Sequence, residues 1–221
     1  MEYSALAWCE SLEEIIIQPG VEEIIEDGPM LISPSFLQRV NIPASLKKIP
    51  GGAFSYSNNC NVFDLDSANS YFSLNEGILY SKDGKRIISI PNRGRKRFDI
   101  PEGVTVISEM TFKDMIALEE LTLPNSLQSI ETRAFQGCTS LKTLTIPPSV
   151  QYVDMDALWA DNLKDVFMVG ENPPIMTGKV QSDDWRFTKV RLHVPRKSVA
   201  IYRTSPGWQC FDIISDNISV H

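Results

Sequence analysis

Apolar residues return along this chain in one fixed order. In the stretch that begins at Leu121, Leu121 and Leu123 alternate about Thr122, Leu127 and Ile130 follow, and Ala134 and Phe135 stand side by side before Leu141. Alternation about a polar residue predicts a short strand with one face turned inward. Pro124 cannot donate to a ladder, so it marks where that strand ends and the chain turns. The same order appears in "VNIPASLKKIPGGAF" from Val40, "FDIPEGVTVISEMTF" from Phe98 and "LTIPPSVQYVDMDAL" from Leu144. Pro101, Pro124 and Pro147 are spaced 124 − 101 = 23 and 147 − 124 = 23 residues apart, and Phe112 and Phe135 also differ by 23. A unit this short cannot enclose a core alone, so the pattern predicts a right-handed solenoid whose turns are buried by stacking on one another.

The register extends into less regular segments. Leu12, Ile15, Ile17, Val21 and Ile24 match Leu141, Leu144, Ile146, Val150 and Val153, with Gln18 in the proline slot. Met30 and Leu31 take the places of Ala134 and Phe135 after a two-residue insertion, and Leu37, Val40 and Ile42 restore the phase. Cys60, Phe63 and Leu65 supply another unit, and Leu163, Val166 and Met168 the last. That makes roughly seven rungs, above the three or so that a repeat array needs.

One unit is interrupted. Between Leu65 and the strand at Phe98, residues 66–97 replace the back half of a turn, and Ile78, Leu79 and Tyr80 face Ile87, Ile88 and Ile90 across "KDG". Glycine there supplies the positive φ of a tight turn, which predicts a β-hairpin projecting from the solenoid. After Gly170 a polar loop leads to the strand "VRLHVP". Beyond it, Ser198 near a helix start, Val199 and Tyr202 on one face, and Trp208, Phe211, Ile213 and Ile214 predict a cap over the last rung. The expected organisation is one continuous domain: a solenoid over 1–169 with its insertion, and the loop, final strand and cap over 170–221.

The unit "L..LTIP.SV..I...AF..C", the insertion "N.YFSLNEGILYSKDGK.I..IP" and the ending "LHVPRKSVAIYRTSPGWQCFDII" together resemble the BspA-type leucine-rich repeat family of bacterial surface and secreted proteins. The resemblance covers almost the whole chain and implies an α/β leucine-rich-repeat solenoid, with short parallel strands on one face and turns and short helices on the other. It implies adhesion or recognition of a protein or glycan at a cell surface, with no catalytic residues to carry across. Two features depart from the family pattern: the second unit is irregular, and "MEYSALAWCESLEE" has neither the basic start nor the apolar segment of an export signal. Ala5, Leu6 and Cys9 fall in the register of Ala134, Phe135 and Cys138, so the chain opens on the back half of a repeat. An export signal and earlier repeats removed from the natural protein would account for both observations, and a cytoplasmic protein is the alternative.

Composition narrows the function. With 43% hydrophobic and 22% charged residues the chain reads as an ordered domain, and no apolar run is long enough to span a membrane. A net charge of −7 argues against a nucleic-acid partner, whose phosphates need a basic footprint. Cys9, Cys60, Cys138 and Cys210 form no CxxC pair, and Cys9 and Cys138 lie several strand spacings apart, so neither zinc nor a disulfide is expected. With only His193 and His221, no P-loop and no nucleophile elbow, neither a cofactor nor a histidine-based triad is expected.

Two constellations remain. Asp64 and Asp99 occupy outward strand positions and would lie on adjacent rungs if the insertion loops out; two carboxylates about 5 Å apart suit a retaining glycosidase. From Lys82 to Arg97 there are seven basic residues, among them Lys85, Arg86, Arg93, Arg95, Lys96 and Arg97, against the single acid Asp83. They are candidates for docking an acidic partner, a sulfated glycan or a neighbouring subunit, or else for protecting a hairpin edge. The sequence supports a non-enzymatic binding module first, a carbohydrate-active solenoid second and a structural spacer third. A lone "NIS" sequon at Asn217 would matter only in a glycosylating host.

Overall fold

The computed structural model describes residues 11–25, 37–51, 53–54, 62–91, 94–178 and 189–216. The chain opens with a parallel ladder of β1 (Glu14–Ile16), β2 (Arg39–Ile42) and β3 (Val62–Leu65), in which Ile15 pairs with Val40 and Val40 with Phe63. An antiparallel meander follows: β4 (Phe72–Asn75), β5 (Ile78–Ser81) and β6 (Arg86–Ser89). Its first turn is Glu76–Gly77, both at positive φ, the backbone that matches the twist of paired strands. The second contains Gly84 at φ +71°.

From there the chain alternates between two sides. β7 (Arg97–Asp99), β8 (Val106–Ile107), β9 (Glu120–Thr122), β10 (Ser129–Ile130), β11 (Thr143–Ile146), β12 (Tyr152–Asp154), β13 (Asp165–Met168), β14 (Ile175–Thr177) and β15 (Arg191–Pro195) lead to the short helix α1 (Val199–Thr204) and β16 (Asp212–Asp216). The odd-numbered strands pair in parallel as β7–β9 and as β11–β13–β15, with β16 added beside β15. The even-numbered ones build a second ladder in the order β14–β12–β10–β8. Leu127, Ile130, Ala134 and Phe135 are all buried between the two ladders, at the inward positions that the repeat pattern assigns them. The back of the coil holds fewer helices than expected: among the described rungs Met155–Leu158 is a 3-10 turn, and elsewhere turns and two-residue strands take its place. A two-residue strand such as Val106–Ile107 bonds to the rungs on both sides, which satisfies backbone groups that a helix would satisfy internally.

The meander corrects the expectation of a projecting hairpin. β6 pairs in parallel with β8, so the second ladder continues through β6, β5 and β4. Both faces of β5 and β6 are buried, and they face different cores. Leu79 and Ile88 pack with Ile15, Val40, Ile42, Leu46 and Phe63, whereas Ile78, Tyr80, Ile87 and Ile90 pack with Phe98, Ile107, Phe112 and the rungs beyond. The insertion is an internal wall. Asn69 fastens it: its amide nitrogen donates to the carbonyls of Pro43 and Leu46 at 2.8 and 3.0 Å, and its side-chain oxygen accepts from the amides of Tyr71 and Phe72 at 2.8 and 2.9 Å. All four bonding positions of a buried amide are thereby used.

On the C-terminal side the phenyl ring of Phe112 meets Phe98 of its own turn edge-on and Phe135 of the next turn at a tilt, with centroids 5.6 and 5.7 Å apart. Gly137, at φ +75°, leaves no room for a side chain, since an added Cβ would lie 2.1 Å from Asp114 Oδ1 and 3.1 Å from its Cα. At the end of the array Tyr202 and Trp208 are fully buried, and the Trp208 indole donates to the Pro174 carbonyl at 2.7 Å. Ser198 stands at the N-cap of α1 without a side-chain capping bond.

Candidate functional site

Outward strand positions carry whatever this scaffold presents. Asp64 lies on β3 beside Asn41, and Asp99 on β7 beside Thr122. β3 and β7 belong to separate sheets, because the meander enters the fold between them rather than looping out. The condition on which the carboxylate pair depended, adjacency in one ladder, is therefore absent.

Several members of the basic run are held by partners on other turns. Arg86 Nη1 contacts Glu131 Oε1 at 2.6 Å and donates to Ser108 Oγ at 3.3 Å, the Arg95 guanidinium lies 5.5 Å from the centroid of the Phe98 ring, and Lys96 Nζ is 3.1 Å from Glu119 Oε1. Arg97 pairs with Glu120, and Lys85 is exposed at the turn before β6. Arg93 lies outside the described residues. Glu119 and Glu120 stand 119 − 96 = 23 and 120 − 97 = 23 residues after their partners. The repeat period itself was the signal for these pairs, since one period places two residues side by side on neighbouring rungs.

A cluster that sequence reasoning missed lies on the outward face of β13 and β15. Asp165 Oδ1 is 2.7 Å from His193 Nε2, and its Oδ2 accepts from Arg191 Nη2 at 2.6 Å. The His193 ring stacks on Phe167 with centroids 4.3 Å apart. Partial desolvation pushes the Asp165 carboxyl up, but the bonds from His193 and Arg191 outweigh it and hold the pKa below the usual value. Arg191 follows Asp165 by 191 − 165 = 26 residues, because the polar loop lengthens this rung, so the period does not reveal the pair.

The second ladder has its own outward face. Ser129, Tyr152 and Ile175 are in register there, and Tyr152 and Ile175 are exposed. Beside them lies a shallow, open depression of about 410 Å³ that includes Ser129, Glu131, Thr132, Tyr152, Asp154 and Thr177. Among the described residues no group of three or more His, Cys, Asp or Glu is arranged to hold a metal ion. Among the described residues Cys138 and Cys210 are not joined in a disulfide; Cys138 is buried, which pushes its thiol up to about 12, and its Sγ lies 3.0 Å from the Phe112 carbonyl oxygen. Cys9, Cys60 and His221 lie outside the described residues. No helix among the described residues is long and apolar enough to cross a membrane.

A family model described as the BspA type leucine rich repeat region matches the chain in 6 copies, over residues 1–92 and 91–176. No curated protein matches. Among solved structures the chain is similar to a leucine-rich repeat protein from Eubacterium ventriosum ATCC 27560, with a TM-score of 0.62 and 17% identity over 92% of this chain and 54% of that one. It is similar to the pneumococcal vaccine antigen PcpA, with a TM-score of 0.53 and 19% identity over 94% of this chain and 69% of that one. A leucine rich cell surface protein from Faecalibacterium prausnitzii A2-165 gives a TM-score of 0.51 and 18% identity, over 96% of this chain and 61% of that one. At these identities the likeness concerns the fold, a solenoid of about seven turns, and this chain spans about half the length of the Eubacterium protein.

Proposed function

We propose that this chain, which belongs to the BspA-type leucine-rich repeat family, is a non-enzymatic recognition module that binds a protein or glycan at a bacterial surface. The family makes it a repeat-based binding or structural module, and the finer reading is supported by one observation above the rest: the outward faces are broad and open. Charged, hydroxyl and aromatic side chains are set in register along them, from Arg97 and Glu120 to Asp165, Arg191 and His193. A rigid array of this kind suits the capture of an extended surface, whereas catalysis on a small substrate calls for a concave site with converging groups. The family resemblance and a neighbour described as a cell surface protein support an extracellular location. In this reading the whole chain, from the first rung to the cap, works as one domain.

The test is a binding screen of the intact chain against a glycan array and an array of extracellular proteins. Saturable binding to one or more of them is the expected outcome. A chain that binds nothing on either array is a spacer, and the proposal fails.

A further inference from the structure

Resting on that reading, we infer that the depression on the second ladder is a binding site for a neutral oligosaccharide, with Tyr152 as its platform. Each element of the inference comes from the geometry. Tyr152 projects from β12 on the solvent side and is 44% exposed, while its strand neighbour Val153 is fully buried. An exposed aromatic ring gives a flat, weakly negative surface that suits the C–H face of a pyranose. Ile175, exposed and in register with it on β14, adds apolar surface on the neighbouring strand.

Around the ring stand hydroxyls and fixed carboxylates, the complement of a sugar's hydroxyl rim. Ser129 and Thr132 each offer one donor and an acceptor, and Thr177, whose hydroxyl hydrogen goes to Asp154, offers an acceptor. Asp154 Oδ1 accepts from the Asp156 amide at 3.0 Å, and its Oδ2 accepts from Thr177 Oγ1 at 3.2 Å. Glu131 is held by Arg86 through Oε1 and by the Glu109 amide, 3.2 Å from Oε2. Each carboxylate oxygen has a second lone pair. The carboxylates are thus oriented before any ligand arrives, which lowers the entropic cost of recruiting them.

The same bonds bear on the ligand class. A basic peptide would find the Glu131 charge already answered by Arg86, and Asp154, though still charged, already accepting from two neutral protein donors. Neutral hydroxyls add to these contacts without displacing them. A volume of about 410 Å³ falls in the range of small-molecule sites, and the open rim leaves a longer chain free to run past.

The intact chain is titrated with neutral oligosaccharides of glucose, galactose, mannose and N-acetylglucosamine, read by calorimetry and by saturation-transfer NMR. At least one is expected to bind saturably, with saturation transfer to its ring C–H protons. Tyr152→Ala should weaken that binding at least tenfold while leaving the urea midpoint in place, Tyr152→Phe should retain it, and Asp154→Asn should weaken it severalfold. If none of these sugars binds, or if Tyr152→Ala binds as well as the parent, the site is wrong. A sugar whose binding ignores Tyr152 leaves the broader recognition reading standing and removes only this site; a chain that binds neither sugars nor proteins removes both.

Discussion

Rungs on the two sides of the meander follow one pattern but reach burial differently. C-terminal to it, an aromatic column of Phe98 and Phe112 from one turn and Phe135 from the next runs through the core at intervals of 5.6 and 5.7 Å, and each rung is closed by the next. N-terminal to it, the spacing from Ile15 to Val40 is 40 − 15 = 25 residues and from Val40 to Phe63 it is 63 − 40 = 23. That smaller core is closed on one side by Leu79 and Ile88 of the meander. The difference teaches that an array stabilised by nearest neighbours tolerates an irregular unit when something else supplies the missing neighbour.

The comparison breaks most severely at the aromatic column. Phe112→Ala should cost about 4 kcal/mol in urea unfolding, because it removes a buried ring with partners on both sides and leaves a cavity. Leu79→Ala should cost about 3 kcal/mol and act on the other block: hydrogen exchange should rise over residues 37–51 more than over 141–168. Equal acceleration in both segments would mean that the meander does not separate the cores.

A smaller effect is expected from pH. The folded-state pKa of Asp165 is depressed, so its contribution is present above the unfolded carboxyl value of about 4 and is lost as pH falls through the folded value. Asp165→Asn should therefore flatten the acid limb of the stability curve below about pH 4 and leave its shape above pH 5 unchanged, as read from urea midpoints. The smallest change belongs to the surface pairs. Arg97→Ala breaks an exposed pair with Glu120 and should cost under about 1 kcal/mol, a loss that shrinks further in high salt. A cost well above that would mean that these rung-to-rung pairs hold the ladder rather than decorate it.

Much of this was legible in the chain before any coordinates. The proline and phenylalanine intervals yield the rungs, and the inward positions Leu127, Ile130, Ala134 and Phe135 are buried as the alternation requires. The meander was misjudged although its strands carried the warning. Ile78-Leu79-Tyr80 and Ile87-Ile88 are continuous apolar runs, the mark of a strand buried on both faces, whereas a projecting hairpin would alternate. Reading the basic run as a segment also hid the partners of Lys96 and Arg97, which stand one period away at Glu119 and Glu120. Asp165, Arg191 and His193 were beyond this logic, because a rung of 26 residues shifts them out of the common register. The depression beside Tyr152 was hidden for another reason: the second ladder rests on two-residue strands, too short to show any periodicity.

The buried meander also has a mechanical consequence. A solenoid pulled from its ends unravels turn by turn, each rung peeling from the next. Here an antiparallel meander, two of whose strands are buried on both faces, interrupts that sequence, and Asn69 fastens it to the turn at Pro43 and Leu46. Under tension applied at its ends, unravelling begun at one end would stall at this bulkhead before it reached the other, and the outward faces beyond it would keep their shape under load.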